Sequence, residues 1–103
     1  MVLAEFSMFP TDKGESVSSY VAKVLEVVDR SRIPYQLTPM GTILEGDWEE
    51  VFRVISDCFH ELEKESHRIS VSIKVDYRKD QNSRMHSKID KLEKILNRQL
   101  RKG

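Results

Sequence analysis

The chain has 103 residues, of which 39% are hydrophobic and 33% charged, and these proportions predict one globular domain with a heavily hydrated surface. Lys plus Arg and Asp plus Glu each total 17, and this zero net charge argues against a nucleic-acid-binding protein. The single cysteine excludes an intrachain disulfide, and no apolar run approaches the roughly 20 residues that span a bilayer. Since residues 1–10 also lack the basic start of a secretory signal, we expect a cytoplasmic protein without membrane or nucleic-acid partners.

The charges are separated along the chain. From Glu45 to Glu65 there are eight acidic residues against two basic ones, a net of −6. From Arg84 to Gly103 there are seven basic residues against two acidic ones, a net of +5. Segments of opposite charge steer each other, so these two are expected to attract within one chain or between subunits.

The first half of the chain predicts a strand, a helix and two further strands. Residues 2–9 alternate as a strand, and a loop separates them from an amphipathic helix with Ser16 at its N-cap. The apolar stripe of this helix consists of Val17, Val21, Val24, Leu25 and Val28. Residues 35–40 and 42–45 form the next two strands, joined by a tight link at Gly41.

The second half predicts a helix, a long strand and a final helix. Asp47 and Glu50 are spaced as a capping box at the start of the helix. Its apolar stripe, expected to lie in the core, consists of Trp48, Val51, Phe52, Ile55, Phe59 and Leu62. Residues 68–79 alternate as the longest strand, and a basic amphipathic helix starts at Met85. The order β-α-β-β-α-β-α predicts a single α+β domain over residues 1–103, a ferredoxin-like sandwich with an extra C-terminal helix.

Both helices of such a sandwich lie on one face of the sheet, so the strand residues divide into two sets. The helix-facing set is expected to consist of Phe6, Met8, Leu37, Leu44, Val71 and Ile73. The opposite set mixes apolar and polar residues: Leu3, Glu5, Ser7, Phe9, Gln36, Thr38, Ile43, Glu45, Ser70, Ser72, Lys74 and Asp76. A mixed face is typically covered by another subunit, by the extra helix or by a small ligand, and we therefore expect an oligomer.

Motifs for catalysis and metal binding are missing from the sequence. It contains no Gly-rich phosphate loop, no Cys-x-x-Cys pair and no His-Glu-x-x-His run. His60 and His67 are separated by about 10.5 Å along a helix, too far to share one metal ion, and Cys58 flanks the apolar stripe and is expected to be buried. We therefore predict a protein that is not an enzyme and needs no metal or cofactor. An enzyme using Glu45 with Lys74 or a histidine as acid and base ranks last among the hypotheses.

Two places in the sequence carry candidate ligand contacts. The start of the first helix, including Ser18, Ser19 and Tyr20, offers hydroxyls and free N–H groups that either cap the helix or bind an anion. Glu45 is either an acid favoured by the dipole of the second helix or a carboxylate on the mixed sheet face for the amine edge of a ligand. The sequence alone does not decide between the two alternatives at either place.

Four blocks of the sequence are recognisable together. They are Ala4–Pro10, Ser16–Ala22, Val71–Arg78 and, most specific, Pro39-Met-Gly-Thr-Ile-Leu-Glu-Gly46 with the following Asp47–Val51. In these blocks the chain resembles the small thiamine-binding protein family of the YkoF-like superfamily, and the resemblance covers essentially the whole chain. It implies a ferredoxin-like fold, no established catalysis, and a homotetramer in which dimers pair through their sheets.

The resemblance also implies a ligand, thiamine or its hydroxymethylpyrimidine part. An aminopyrimidine needs a carboxylate facing a ring nitrogen and acceptors for its exocyclic amine, and the cationic thiazolium ring tolerates an acidic or aromatic neighbour. Thr42 and Glu45 lie in the most specific block and are carried over as contacts. The remaining candidates are chosen by geometry: Glu5, Phe6, Met8, Tyr20 and Met40.

Two hypotheses for the function follow. The first is a non-enzymatic, homo-oligomeric cytoplasmic protein that binds thiamine or a related pyrimidine. The second is a homo-oligomeric regulatory protein that holds sulfate or phosphate at the helix start, residues 16–19, or at a junction between subunits. Binding of thiamine favours the first hypothesis, and stabilisation by sulfate but not by chloride favours the second.

Overall fold

The computed structural model of the protein describes residues 1–15 and 17–79. Its elements are β1 (Val2–Pro10), α1 (Ser18–Ser31), β2 (Tyr35–Thr38), β3 (Gly41–Gly46), α2 (Trp48–Glu63) and β4 (Ile69–Tyr77). This βαββαβ order confirms the predicted α+β, ferredoxin-like fold. The helix predicted from Met85 and the residue predicted as the first N-cap, Ser16, lie outside the described residues. Neither described helix is long and apolar enough to cross a membrane.

The four strands form one antiparallel sheet in the order β2-β3-β1-β4. The two long strands lie side by side over their whole length, with Val2 opposite Tyr77 and Pro10 opposite Ile69. On its other side β1 pairs with β3, where Val2 lies opposite Gly46. β1 and β3 are therefore the central strands, and β2 and β4 are the edges.

Both helices pack on one face of the sheet and bury alternate side chains of β1. The core consists of Val2, Ala4, Phe6, Met8, Val24, Val28, Ile33, Leu44, Val51, Val54, Ile55, Cys58 and Leu62. The period of two in the strands and of 3.6 in the helices brings these residues to one layer. The predicted helix-facing set is confirmed for Phe6, Met8 and Leu44, and the predicted burial of Cys58 is also confirmed.

The helices cover the edges of the sheet less completely than the sequence predicted. Leu37, Val71 and Ile73 lie on the helix-facing side, but they remain 47%, 40% and 41% exposed because they belong to the edge strands. Trp48, predicted to lie in the core, is 51% exposed. Trp48 is the first residue of α2 and contacts Phe52, with ring centroids 4.4 Å apart. The apolar stripe of α2 is therefore continuous, but the first turn of the helix extends past the core.

The helix starts agree with the sequence in one case and differ in the other. The predicted capping box of α2 is present, and the Asp47 N–H donates to Glu50 Oε1 at 3.3 Å. α1 starts one residue later than predicted, with Val17 in the N-cap position and no side-chain hydrogen bond there. A valine gives no capping signal in a sequence, which explains the difference. The C-cap residue of α1 is Arg32, whose φ of 64° is left-handed.

The hairpin between β2 and β3 is tighter than predicted, since β2 ends at Thr38. The Thr38 hydroxyl accepts hydrogen bonds from the N–H groups of Met40 and Gly41, at 3.2 and 3.1 Å, and donates to the Gly41 carbonyl at 2.9 Å. These bonds close a turn at Pro39 and Met40. At Gly41 a Cβ atom would lie 2.7 Å from the Phe6 carbonyl oxygen, so glycine is required for this close approach of β3 to β1.

Candidate functional site

A cleft opens between α1 and the β2–β3 turn on the helix-facing side of the sheet, and we call it the hairpin cleft. Its volume is about 280 Å³, close to the lower end of the range of roughly 300–1,000 Å³ for small-ligand sites. The walls are mostly apolar: Phe6, Met8, Phe9, Val21, Val24, Leu25, Leu37, Pro39 and Met40. The cleft therefore suits a ligand with one flat ring rather than a large cofactor.

Thr42 is a buried polar residue that lines the hairpin cleft. It lies on β3 opposite Phe6, on the helix-facing side, and is 7% exposed. Within the part of the chain that the structure describes, the Thr42 hydroxyl makes no hydrogen bond. A buried polar group without a partner destabilises a protein by about 1–3 kcal/mol. A ligand that brings a donor or acceptor to Thr42 would therefore satisfy a hydroxyl that no described residue satisfies.

Met40 forms the rim of the hairpin cleft. It is 81% exposed although it is apolar, because it lies at the tip of the turn after Pro39. Its side chain is unbranched and its thioether is polarisable, so it adapts to irregular apolar surfaces. Met40 is therefore placed to cover a ring that enters the cleft.

A second and more polar cleft lies on the opposite face of the sheet, and we call it the open-face cleft. Its volume is about 340 Å³, and it is lined by Glu5, Phe6, Ser7, Met40, Ser72, Ile73 and Lys74. Glu5 and Lys74 are directly opposite each other on β1 and β4. The predicted mixed face thus presents a carboxylate and an ammonium group beside a shallow depression.

The structure divides the predicted ligand contacts between the two clefts. Thr42 and Met40 line the hairpin cleft, whereas Glu5 and Met40 line the open-face cleft. Glu45 lies on the opposite side of β3 from Thr42, because residues three apart on a strand face opposite sides. It is paired with Leu3 in the register, is 4% exposed, has an interaction partner and lines neither cleft. The two residues from the most specific block therefore do not meet at one site.

The predicted contacts at the start of α1 also lie away from the two clefts. Ser18 and Ser19 are exposed in the first turn, and Tyr20 is half-buried against the core. The ammonium groups of Lys23 and Lys13 lie 5.3 and 5.9 Å from the centre of the Tyr20 ring, so this ring already has cationic neighbours. Anion binding at this helix start stays a prediction.

The Cys58 side chain is buried between the two helices. Its Sγ lies 3.7 Å from the Val24 carbonyl oxygen, and burial raises the pKa of the thiol from 9.0 to about 12. The thiol is therefore protonated at neutral pH and is a poor nucleophile. Within residues 1–15 and 17–79, no group of three His, Cys, Asp or Glu side chains is close enough to hold a metal ion.

Several walls of the hairpin cleft were not predicted as ligand contacts. Val21 and Leu25 were assigned to the core stripe of α1, and Leu37 to the core face of the sheet. All three line the cleft, and Val21 is 38% exposed. No sequence signal separates an apolar residue that seals a core from one that lines a cleft, since both have the same spacing.

Fold and clefts together define a small ferredoxin-like domain with room for a small ligand on each side of its sheet. The chain belongs to the thiamine-binding protein family, whose model matches residues 4–93. It is similar to the UPF0045 protein YqgV of Bacillus subtilis, with 36% identity over 103 residues that cover 93% of this chain and 98% of that protein. A UPF0045 protein of Staphylococcus xylosus is 40% identical over 90 residues, 82% of this chain and 83% of that protein.

Solved structures show the same fold. The MJ1052 protein of Methanocaldococcus jannaschii superposes with a TM-score of 0.81 at 34% identity, over 88% of this chain and 94% of that chain. A candidate thiamine biosynthesis or salvage protein of Thermotoga maritima superposes with a TM-score of 0.77 at 19% identity, over 88% of this chain and 97% of that chain. The family predicted from the four sequence blocks is thereby confirmed.

Proposed function

We propose that this chain binds thiamine or its hydroxymethylpyrimidine part without catalysing a reaction, and that the pyrimidine ring enters the hairpin cleft. The observation that carries this proposal is the Thr42 hydroxyl, which is 7% exposed and makes no hydrogen bond within the described residues. Membership of a family described by thiamine binding supports the choice of ligand. A carrier, a reservoir or a sensor of the ligand would each use such a site.

The chemistry of the ring matches the cleft. An aminopyrimidine carries ring nitrogens that accept hydrogen bonds and an exocyclic amine that donates them, and a threonine hydroxyl serves either role. The flat body of the ring suits the apolar side chains of Leu37 and Met40, which line the same cleft as Thr42. The described residues that line this cleft carry no charge. A neutral pyrimidine is therefore favoured inside, with the cationic thiazolium ring kept at the mouth, where water solvates it.

Calorimetric titration with thiamine and with hydroxymethylpyrimidine tests the proposal. Thr42→Val removes the hydroxyl and keeps the shape of the side chain, and it is expected to weaken binding of both compounds about tenfold or more, equivalent to about 1.4 kcal/mol. Thr11→Val is the matched control. It makes the same change at an exposed hydroxyl that donates to the Arg68 carbonyl at 3.3 Å and lines neither cleft, and it is expected to leave binding unchanged.

Two results would contradict different parts of the proposal. If neither compound gives heat or a thermal shift with the wild-type chain at millimolar concentration, the proposed function is wrong. If binding survives Thr42→Val and is lost in Glu5→Gln, the ligand lies in the open-face cleft instead. Native mass spectrometry of the same samples gives the number of ligands per chain, which is expected to be one.

We also propose that the domain works in the cytoplasm as a homo-oligomer, and as a tetramer if it follows the family resemblance. The open face of the sheet supports an oligomer because apolar and charged side chains alternate there. Phe9 is 40% exposed on this face, and Leu3 and Ile43 are only half-buried. Sedimentation velocity measures the mass of the assembly, and a monomer at all accessible concentrations would contradict this part of the proposal.

A further inference from the structure

Met40 has the most exposed large hydrophobic side chain among the described residues, at 81%. Of the other two described methionines, Met8 is 6% exposed and Met1 is half-buried. Oxidation of a methionine thioether needs contact with the oxidant, so exposure determines which methionine reacts first. Within residues 1–15 and 17–79, a dissolved oxidant therefore reaches Met40 before the other methionines.

The turn that carries Met40 is fixed in place by contacts of its backbone. The Met40 N–H donates to the Thr38 hydroxyl at 3.2 Å. The next residue, Gly41, lies so close to β1 that a Cβ atom there would be 2.7 Å from the Phe6 carbonyl oxygen. The turn therefore has little room to move, and a chemical change in the Met40 side chain takes effect at the place where that side chain lies.

Met40 lines the hairpin cleft and also the open-face cleft. In the hairpin cleft it forms an apolar wall together with Leu37 and Pro39. A thioether is apolar and polarisable, and it makes favourable contacts with aromatic rings. Its oxidation product, the sulfoxide, is polar. Met40 is thus placed where oxidation changes the rim of a ligand cleft from apolar to polar.

We propose that Met40 is a site of reversible oxidation by a hydroperoxide, and that its sulfoxide weakens ligand binding in the hairpin cleft. The sulfur forms a bond to one peroxide oxygen while the O–O bond breaks, and the second oxygen leaves as water or as an alcohol. The sulfur is oxidised by two electrons, which reduce the peroxide. A dithiol reductant acting through a sulfoxide reductase reverses the step, since the oxygen leaves as water and the two thiols form a disulfide.

The sulfoxide weakens binding because its oxygen is a strong acceptor that loses water when a ring covers it. The nearby Thr38 hydroxyl is already bonded to the backbone of the turn and does not replace that water. If the oxygen stays in water instead, the ring loses the apolar cover of Met40. Affinity is therefore expected to fall about three- to tenfold. This effect on binding rests on the proposed function, whereas the oxidation of Met40 does not.

The single thiol of the chain does not compete for the oxidant. Cys58 is 0% exposed, and burial raises the pKa of its thiol from 9.0 to about 12. Peroxides react with the thiolate rather than with the thiol, and the thiolate is scarce at neutral pH when the pKa is so high. The response of the folded chain to peroxide is therefore expected to come from methionine.

Treatment with hydrogen peroxide, followed by peptide mass spectrometry and calorimetry with hydroxymethylpyrimidine, tests the proposal. Met40 is expected to gain one oxygen before Met8 and Met1 do, and the Kd is expected to rise about three- to tenfold. Hydroxymethylpyrimidine added before the peroxide is expected to slow the oxidation of Met40, because the bound ring covers the thioether. Met40→Leu keeps an apolar side chain that peroxide does not oxidise, so its Kd is expected to be the same before and after treatment.

Met85→Leu is the matched control, since it makes the same substitution at a methionine outside the described residues. Its binding is expected to stay as sensitive to peroxide as that of the wild type. Oxidation of Met8 before Met40 overturns the proposal, and so does a Kd that oxidation of Met40 leaves unchanged. If the untreated chain binds neither thiamine nor hydroxymethylpyrimidine, the proposed function is wrong and the effect on binding is wrong with it. The mass spectra then still show whether Met40 is the methionine that reacts first.

Discussion

Thr42 is buried in an apolar cleft, and its hydroxyl bonds to none of the described residues. Its contribution to binding and its contribution to stability are therefore expected to have opposite signs. In the ligand-free chain, Thr42→Val replaces the hydroxyl by a methyl group of similar shape. Removing an unsatisfied buried polar group is expected to stabilise the fold by about 1 kcal/mol, which raises Tm by several degrees. Thermal unfolding without ligand measures this change.

Thr11→Val again provides the comparison for this stability prediction. Its hydroxyl donates to the Arg68 carbonyl, so its loss is expected to lower Tm slightly or leave it unchanged. A lower Tm for Thr42→Val than for the wild type would mean that the Thr42 hydroxyl is already satisfied in the folded chain. Thr42 would then no longer support the proposed site, because its hydroxyl would not need a ligand as a partner.

Cys58 is expected to be unreactive in the folded protein. Burial raises the pKa of its thiol from 9.0 to about 12, which lowers the thiolate fraction at neutral pH roughly a thousandfold. The reaction with Ellman's reagent is therefore expected to be very slow in buffer and fast in denaturant. A fast reaction in buffer would show that the contact between the two helices opens readily.

The end of α1 contains a residue that is strained by its backbone conformation. Arg32 has a φ of 64°, in the left-handed region that costs free energy for any residue with a Cβ atom. Its side chain is exposed. Arg32→Gly is therefore expected to stabilise the protein by about 0.5–1 kcal/mol, measured by urea unfolding.

A second glycine substitution two residues earlier is the control for Arg32→Gly. Arg30 lies in the last turn of α1 and forms an ion pair with Glu26. Arg30→Gly is expected to destabilise the fold by about 1 kcal/mol, because glycine is unfavourable inside a helix. If both substitutions destabilise, the left-handed backbone at Arg32 does not govern the stability of this helix end.

The helices and strands differ in how closely the sequence predicted their ends. The start of α2 was predicted correctly because its capping box is encoded in the local sequence. The predicted placement of His67 on this helix is wrong, since α2 ends at Glu63 and His67 lies in the connection to β4.

β2 was predicted to end at Met40, two residues after its observed end at Thr38, because the extended pattern continues through Pro39 and Met40. The chain turns at these two residues because the Thr38 hydroxyl forms hydrogen bonds with the backbone of Met40 and Gly41. Hydrogen bonds from a side chain to the backbone compete with the strand ladder, and alternation alone does not reveal them.

Across the whole molecule, Asp12 links two loops that are distant in the sequence. Its carboxylate accepts hydrogen bonds from the Ser66 hydroxyl at 2.6 Å and from the His67 N–H at 2.7 Å. These bonds, with that from Ser66 the stronger influence, hold the pKa of Asp12 below its ordinary value of 3.8. The loop between β1 and α1 is thereby tied to the turn between α2 and β4.

Because the pKa of Asp12 is lower in the folded than in the unfolded chain, its contribution to stability is present above about pH 3.8 and is lost as the pH falls through the folded value. Asp12→Asn removes the titrating group. It is expected to lower Tm at neutral pH and to lose less stability than the wild type between about pH 6 and about pH 3. Thermal unfolding at several pH values measures both effects, and equal losses in the two proteins would contradict the role given to Asp12.

The candidate site was predictable in part. Thr42, carried over from the most specific block, and Met40, chosen by geometry, line one cleft. The block also supplied Glu45 as a contact, but Glu45 lies on the mixed face of the sheet, where the alternation placed it, and Thr42 lies on the helix-facing side. Residues three apart on a strand face opposite sides of the sheet, so the separation of Thr42 and Glu45 could be predicted from the sequence.

Local patterns in the sequence determined the order and type of the six described elements, because the periods of strands and helices and the chemistry of caps act between near neighbours. The family was also determined by the sequence, through matched blocks along the chain. Only the tertiary structure decided which apolar residues seal the core and which line a cleft or an edge. That outcome depends on which strands lie at the edges of the sheet and on how far the two helices extend over them, and both depend on contacts between residues far apart in the chain.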